Sequence, residues 1–331
     1  MVSNPVAIST RVAPSFLRVG QLELFGRRAR CQEHPNAVVE LEMMALHMIE
    51  REYGDKIDAH LPMADKTLRL AIEFRERLTT LITHWLRVGY CQGNFNSDNC
   101  AVGGFTLDYG PFGFCERFEP YFQPWTGGGR HFAFFNQPLA AEKNFESFCS
   151  ALEVLLQSSP ELIEQLDEIR DGFSSLMQGK ITQMWADKLG LETFNAPLFN
   201  SLLALMMKTH VDYTMFFREL CNIPKDVSEI AKSFYTEPDE LLENEWSEWL
   251  TSWRESLNVA KGIEVISRNM KQVNPKYTWR EWLIVPAYEQ ARLGDFTLIH
   301  ELEEILADPY GEQSKEVEEK YYKLRPLEYF A

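Results

Sequence analysis

Apolar residues recur at three- and four-residue spacing along most of the chain, which is the pattern of amphipathic helices. Asn36 and Asp65 stand before two of these segments, where their side chains can cap a helix N-terminus. Gly89 follows the second segment and fits a helix end. The pattern therefore predicts a mainly helical protein. Its predicted helical segments are residues 36–53, 65–89, a helix that opens at residues 136–138, and residues 160–189, 195–207, 226–234 and 240–257, with a last helical region over residues 274–319.

Two short stretches break the helical pattern and predict strands. Residues 6–13 form an apolar run that ends at Pro14, a residue that cannot continue a strand ladder. Residues 101–107 form a second short run with Gly103 and Gly104 inside it, which favours a hairpin. We expect strand pairing only at these two places.

The polar residues around the second stretch carry the candidate chemistry. Residues 93–114 read GNFNSDNCAVGGFTLDYGPFGF, with Asp98 and Asn99 before the run and Asp108 after it. Carboxylate and amide oxygens suit Mg²⁺, which takes one or two protein ligands beside water and phosphate oxygens. A hairpin would bring Asn99 and Asp108 to one ion. Protein kinases place their metals in the same way, with a catalytic-loop Asn and the Asp of Asp-Phe-Gly.

A purely structural interpretation of the same stretch stays open, because Asp and Asn in loops commonly satisfy backbone groups of turns. The spacing also departs from the kinase pattern, in which the catalytic Asp stands five residues before the metal-binding Asn. Here that position is Asn94, which cannot accept a proton at neutral pH. The nearest carboxylate is that of Asp98.

Composition narrows the class of protein. The chain has 331 residues, 45% of them hydrophobic, and a formal net charge of −16. This is a globular composition, and such an anionic chain is expected to repel the nucleic-acid backbone. The chain contains no run of 18 apolar residues, so no membrane span is expected, and residues 1–10 lack the features of a signal peptide. Six cysteines without a paired motif favour a reducing compartment, the cytoplasm or the mitochondrial matrix.

The segments NSDN and GGFTLDYGPFGF, together with Phe135-Asn136-Gln137-Pro138 and the later NPKYTWREW, resemble the selenoprotein O family of kinase-fold protein adenylyltransferases. The resemblance runs from about Thr10 to Phe330. It implies transfer of AMP from ATP, bound in a flipped orientation, to Ser, Thr or Tyr hydroxyls of proteins. It also implies Asp98 as the proton acceptor, Asn99 and Asp108 as ligands of Mg²⁺ (or Mn²⁺), and Asp108 in contact with ATP.

Two arginines gain a role from the same resemblance. TRVAPSFLRVG is similar to a family segment in which two arginines, seven residues apart, bind the nucleotide, and the matching residues are Arg11 and Arg18. A guanidinium group can grip phosphate oxygens at two points, which suits this role. Arginines at a strand end are otherwise ordinary surface residues. We expect contact with ATP on the strength of the family match.

The resemblance implies a kinase-like C-lobe with a short β-hairpin at the metal site and a helical extension. We expect a remnant N-lobe strand and hinge over residues 1–20, a helical C-lobe over 21–221 with its metal loop at 91–130, and the extension over 222–331. The glycine-rich loop and strand lysine of a kinase N-lobe are expected to be absent. The main hypothesis is thus a Mg²⁺-dependent protein adenylyltransferase, and the alternative is a catalytically inactive, pseudokinase-like interaction module.

Overall fold

Helices dominate the computed structural model, which describes residue 8 and residues 10–330. Two short strands, β1 (Tyr90–Cys91) and β2 (Gly113–Phe114), pair antiparallel, with Tyr90 opposite Phe114 and Cys91 opposite Gly113. This confirms the predicted mainly α class. The helices of the described residues are α1 (Val19–Arg30), α2 (Ala37–Glu52), α3 (Met63–Val88), α4 (Gln137–Glu153), α5 (Pro160–Asp171), α6 (Phe173–Lys188), α7 (Ala196–Thr209), α8 (Tyr213–Leu220), α9 (Glu240–Glu255), α10 (Ile263–Val273), α11 (Glu281–Arg292), α12 (Thr297–Ala307) and α13 (Lys315–Tyr321).

The helix ends correct two details of the sequence prediction. Asn36 precedes α2 as predicted, but its side chain makes no capping hydrogen bond. Asp65 does not cap α3, because that helix begins two residues earlier at Met63 and Asp65 lies in its first turn. The predicted stop at Gly89 is confirmed, since Gly89 has a φ of 80° and glycine adopts that left-handed conformation without steric cost.

Both strand predictions need revision. Residues 6, 7 and 9 of the first predicted strand lie outside the described residues, and the described remainder up to Ala13 forms no strand. The hairpin predicted over residues 101–107 is wrong. Within the described residues, that run forms a single isolated β-bridge, Ala101 opposite Arg18, and the two-stranded ladder lies at β1 and β2 instead. Gly103 and Gly104 serve a turn that approaches its neighbours closely, not a ladder.

The chain divides into two compact units, and the first comprises Met1–Leu78, Asn96–Asp108 and Lys143–Asp171. Aromatic rings fill part of its interior. Phe74, Phe145 and Phe148 are fully buried, and the ring centroids of Phe74 and Phe148 lie 4.4 Å apart. The apolar face of α2 is buried in the same unit through Leu41, Ala45 and Met48. Tilted aromatic pairs at this distance stabilise a core beyond the area they bury.

The second unit comprises Thr79–Phe95, Tyr109–Glu142 and Gly172–Ala331. Tryptophans form much of its core, as the helical spacing of Trp246, Trp249 and Trp253 on α9 predicts. Their indole N–H groups donate to the Thr209 hydroxyl, the Leu198 carbonyl and the Leu189 carbonyl at 2.7–2.9 Å. Each buried ring thus satisfies its polar atom while it packs. The domain boundaries predicted after residues 20 and 221 stay predictions.

A buried ionic network lies in the second unit. Asp212, with no exposed surface, caps α8 by accepting from the Met215 amide at 2.9 Å. Arg280 donates to both Asp212 carboxylate oxygens, at 2.6 and 3.0 Å, and to Glu116 at 2.8 Å. Burial raises the pKa of Glu116 above its usual value, although Arg280 pulls it down. Every charge in this network has an opposite charge as its partner.

Membrane-spanning helices are not found anywhere in the described part of the chain.

Candidate active site

Asp98 and Asn99 lie on a single 3-10 turn, Ser97–Asn99, in the first unit. Asn96 forms this turn. Its side-chain carbonyl accepts from the Asp98 amide at 3.1 Å, and its backbone carbonyl accepts from the Asn99 amide at 3.0 Å. The structural role that Asn commonly has in turns therefore belongs to Asn96. This leaves the Asp98 side chain available for chemistry.

Residues 17–19 tie the turn to the start of α1. The Val19 amide donates to the Cys100 carbonyl and the Val102 amide donates to the Leu17 carbonyl, both at 2.9 Å, with Arg18 opposite Ala101. These backbone bonds fix the position of the chain directly after Asn99. They also place the predicted phosphate-binding Arg18 beside the segment that carries the predicted metal ligands.

A buried tyrosine and an arginine hold the next residues. The Tyr53 hydroxyl donates to the Val102 carbonyl at 2.5 Å, and Arg77 donates to the Gly103 carbonyl at 3.3 Å. The Arg77 guanidinium also lies 4.1 Å from the centre of the Tyr53 ring, within cation–π range. Burial raises the pKa of the Tyr53 hydroxyl far above its usual value, although Arg77 opposes this. Tyr53 is therefore a neutral hydrogen-bond donor that braces the segment.

Gly104 permits this close arrangement. Its φ is 72°, and a Cβ built on it would lie 2.4 Å from Cβ of Arg77 and 3.2 Å from the Arg77 carbonyl carbon. Only glycine meets both demands, a left-handed backbone and no side chain. The paired glycines that suggested a hairpin in the sequence thus let the segment pass against α3.

Arg11 and Arg18 both lie at the segment that follows Asn99. Arg11 donates to the Thr106 carbonyl at 3.2 Å. Arg18 is half-buried, and its Nε is enclosed without a hydrogen-bond partner among the described residues. A buried guanidinium N–H without an acceptor is costly, and an anionic ligand would remove the cost. The two arginines that the sequence singles out are thus in the same unit as Asp98.

The Asp98 carboxylate lies against the first turn of α1. A Cβ built on Gly20 would be 2.3 Å from Asp98 Oδ1, so the carboxylate occupies space that any other residue at position 20 would fill. The Asp98 side chain is exposed, and within the described residues its oxygens accept no hydrogen bond and join no ion pair. An exposed, uncommitted carboxylate can accept a proton from an incoming group.

Asn99 and Asp108 are both half-buried members of the first unit, one at the start and one at the end of residues 99–108. Their convergence on one ion stays a prediction. Among the described residues, no three His, Cys, Asp or Glu side chains cluster as a metal cage would require.

Cys100 lies between Asn99 and Asp108 in the sequence and is fully buried. Burial raises the pKa of its thiol well above the usual range. This thiol is protonated and enclosed, which does not suit a nucleophile.

Comparison with known proteins identifies the family. A family model described as "Protein adenylyltransferase SelO" matches residues 2–307. The chain belongs to the SelO family. The resemblance to this family is thereby confirmed.

Relatives of this SelO-family chain include proteins named "Protein nucleotidyltransferase YdiU". The one from Flavobacterium johnsoniae is 32% identical, and the match covers 97% of this chain and 61% of the relative. Those from Tolumonas auensis and Aromatoleum aromaticum are 31% and 30% identical, covering 98% and 94% of this chain and 61% and 59% of the relatives. The chain spans about three fifths of the length of these relatives.

The side-chain oxygens of Asn99 and Asp108 fit the Mg²⁺ that the resemblance to the SelO family implies. Asn99 supplies an amide oxygen and Asp108 a carboxylate oxygen, a small set of hard ligands of the kind Mg²⁺ uses when phosphate and water complete its shell. The unpaired, buried Nε of Arg18 suits the phosphate itself. The residues present therefore fit a magnesium–nucleotide complex.

The residues that support the candidate site were missed in the sequence. Tyr53 and Arg77 lie in predicted helical segments whose apolar pattern predicts packing alone, and Gly20 lies in α1, which the pattern did not predict. Tyr53 was predicted only as the end of a helix. Their role depends on contacts with residues 98–104 that are 26 or more positions away in sequence. No periodic or motif signal in a single sequence encodes such contacts.

Proposed function

We propose that this chain catalyses protein adenylylation, the transfer of AMP from ATP to a Ser, Thr or Tyr hydroxyl of a protein. The observation that supports the proposal best is the Asp98 carboxylate, which is exposed and uncommitted among the described residues while Asn96 holds its backbone. A general base needs this combination of fixed position and free oxygens. Membership of the SelO family supports the reaction class.

In the proposed reaction, Asp98 accepts the proton of the substrate hydroxyl. The hydroxyl oxygen then attacks the α-phosphorus of ATP, a new P–O bond forms, and the bond to the β-phosphate oxygen breaks. Pyrophosphate leaves with the electron pair of that bond. Arg18 and Arg11 bind phosphate oxygens and hold the nucleotide in line. Mg²⁺ on Asn99 and Asp108 would offset the negative charge of the phosphates. The base contributes a factor of about 10²–10⁴ to the rate.

Labelled ATP tests the proposal directly. The full chain is incubated with Mg²⁺, a protein lysate and ATP that carries its label either on the α-phosphate or on the γ-phosphate. We expect protein to become labelled from α-labelled ATP only. Asp98→Asn should lose most of this labelling. Asp55→Asn is the matched control, because Asp55 is an exposed aspartate of the same unit without a hydrogen bond or ion pair among the described residues.

Two other outcomes would overturn the proposal. Labelling of protein from γ-labelled ATP alone would indicate phosphoryl transfer as in an ordinary kinase. No labelling from either form, together with no heat on titration with Mg-ATP, would indicate an inactive interaction module. Asp98→Asn that remains as active as Asp55→Asn would remove Asp98 from the role of base.

A further inference from the structure

We propose that Gly20 is a positioning residue for Asp98, because the missing side chain at position 20 leaves the space that the catalytic carboxylate occupies. The inference rests on the proposed function and adds a residue to it that acts through Asp98. Gly20 is the second residue of α1, and Asp98 lies 78 positions later on the Ser97–Asn99 turn. Their proximity is a property of the fold that the sequence does not display.

The space is small and well defined. A Cβ on Gly20 would lie 2.3 Å from Asp98 Oδ1, 3.3 Å from Asp98 Cγ and 3.3 Å from the backbone carbonyl carbon of Ser97. The first distance is far inside van der Waals contact, while the other two are tight. Gly20 lies inside a regular helix without a positive φ, so its backbone conformation suits any residue. The need for glycine here is therefore one of space and not of conformation.

A side chain at position 20 would displace the Asp98 carboxylate but leave the fold intact. Asp98 Oδ1 is the end of a rotatable side chain, whereas the backbone of the turn is held by two hydrogen bonds to Asn96. Rotation of the Asp98 side chain relieves the clash at little cost in stability. Alanine also favours a helix more than glycine does. The expected result of Gly20→Ala is a folded protein whose general base points elsewhere.

The charge distribution favours the native position. The first turn of α1 has no acidic residue of its own, and Asp98 supplies a carboxylate there from another segment. Negative groups are favoured at a helix N-terminus, where backbone N–H groups have no helical partner. The space left by Gly20 and the partial positive charge of the first turn of α1 thus both favour the observed position of the Asp98 carboxylate.

The same helix offers a matched control at Gly26. A Cβ on Gly26 would lie 2.6 Å from Cβ and 2.8 Å from Cα of Ala151. Neither atom can rotate away, since one belongs to the backbone and the other is attached to it directly. Gly26→Ala should therefore strain the packing of α1 and lower the melting temperature without touching Asp98.

The experiment compares kcat and KM for AMP transfer, and the melting temperature, in the wild-type chain, Gly20→Ala, Gly26→Ala, Asp98→Asn and the double variant Gly20→Ala/Asp98→Asn. Misplacement of a catalytic group by about 1 Å can lower the rate about 10²-fold. We expect Gly20→Ala to lower kcat by at least about tenfold, with KM for ATP nearly unchanged and no fall in melting temperature. Gly26→Ala should show the reverse, a fall of roughly 5 °C with unchanged kcat.

The double variant shows whether Gly20 acts through Asp98. If it does, Gly20→Ala lowers the rate no further once Asp98 is Asn, because the base is already lost. Full kcat in Gly20→Ala, or an equal loss in both backgrounds, would overturn the inference. Absence of AMP transfer by the wild-type chain would instead remove the proposed function. In that case the juxtaposition is still measured by stability, since Gly20→Ala should stabilise an Asp98→Ala chain more than the wild type.

Discussion

Two aspartates of this chain have opposite surroundings. Asp212 in the second unit has no exposed surface, and Arg280, the Met215 amide and the Tyr235 hydroxyl all donate to its oxygens. Asp98 in the first unit is exposed, and its oxygens accept no hydrogen bond and join no ion pair among the described residues. Both carboxylate oxygens of Asp212 thus accept hydrogen bonds, whereas those of Asp98 accept none from the described residues.

The difference in hydrogen bonding distinguishes an aspartate that stabilises the fold from one that is available for a reaction. A carboxylate that already accepts several hydrogen bonds from a cation and an amide is poorly placed to accept a proton as well. Removal of such a group leaves a buried cation with one partner fewer and is expected to destabilise the fold. A carboxylate without partners contributes little to stability, and its position is set by the backbone around it. Asp212 is therefore a structural residue, while Asp98 is the candidate for the reaction.

Identical substitutions at these two aspartates give the largest expected contrast. Asp212→Asn should lower the free energy of unfolding by about 3–5 kcal/mol, because Arg280 stays buried with only part of its compensation. Asp98→Asn should change it by no more than about 0.5 kcal/mol, as is usual for an exposed residue without partners. Chemical denaturation of the two variants measures both values. Equal destabilisation by the two changes would contradict the distinction.

Substitution of Arg18 tests whether the first unit binds an anion. Its buried Nε has no partner in the described residues, so a phosphate there would form a charge-assisted hydrogen bond. Such a bond contributes about 1.5–3 kcal/mol. Arg18→Met should thus lower kcat/KM for ATP by roughly 10–100-fold. Titration calorimetry with Mg-ATP measures the corresponding loss of binding.

A second arginine serves as the control for this test. Arg27 is an exposed arginine of α1 whose side chain makes no hydrogen bond or ion pair among the described residues. Arg27→Met removes the same charge from the same helix and should leave ATP binding unchanged. An equal loss of affinity in both variants would show that overall charge, and not the Arg18 guanidinium, matters for nucleotide binding.

Helical periodicity predicted much of this fold, because it needs information only from neighbours in sequence. α2, α7 and α9 lie where three- and four-residue spacing places them. Residues 226–234, which were predicted as helical, form only two short 3-10 turns, and α1 was not predicted. Strands were harder to predict. β1 and β2 have two residues each, which is too short for any alternation to register, and the pairing of Arg18 with Ala101 involves residues 83 positions apart.

The sequence suggests candidate residues for the chemistry of the site but not the residues that support them. Asp98, Asn99, Asp108, Arg11 and Arg18 follow from residue types and from the family resemblance, and the structure places all five in one unit. Gly20 and Tyr53 could not be predicted, since a glycine that spares room for a distant carboxylate looks like any helical glycine. Motifs suggest candidate reacting groups, whereas the residues that position those groups become visible only in the packing.

Tyr53→Phe measures how much the brace contributes to the first unit. The change removes the 2.5 Å hydrogen bond to the Val102 carbonyl and leaves that oxygen buried without the hydroxyl. We expect the free energy of unfolding to fall by about 1–2 kcal/mol. AMP transfer should fall less than in Gly20→Ala, since Tyr53 touches the segment four residues beyond the base. Urea denaturation beside the labelling assay gives both values, and a neutral effect on stability would refute the role of Tyr53 as a brace.

Glu312 gives the smallest expected effect, and it concerns the second unit. Partial burial alone would raise the pKa of Glu312, but hydrogen bonds from Lys276 and Arg218 outweigh it and lower the pKa to about 2. The folded value is thus below the unfolded value near 4.5, so the contribution to stability is present above about pH 4.5 and is lost as the pH falls towards 2. Because the side chain is 53% exposed, solvent screening limits this contribution to about 1 kcal/mol or less.

Denaturation of Glu312→Gln and wild type at pH 7 and pH 3 tests the sign. The wild type should be more stable than the variant at pH 7, and the difference should shrink at pH 3 as the Glu312 carboxylate takes up a proton. Glu303, which is exposed on α12, provides the control substitution Glu303→Gln, for which only a small difference is expected at either pH. A difference for Glu312→Gln that grows on acidification would mean that the carboxylate destabilises the fold, and that Arg218 and Lys276 do not compensate its burial.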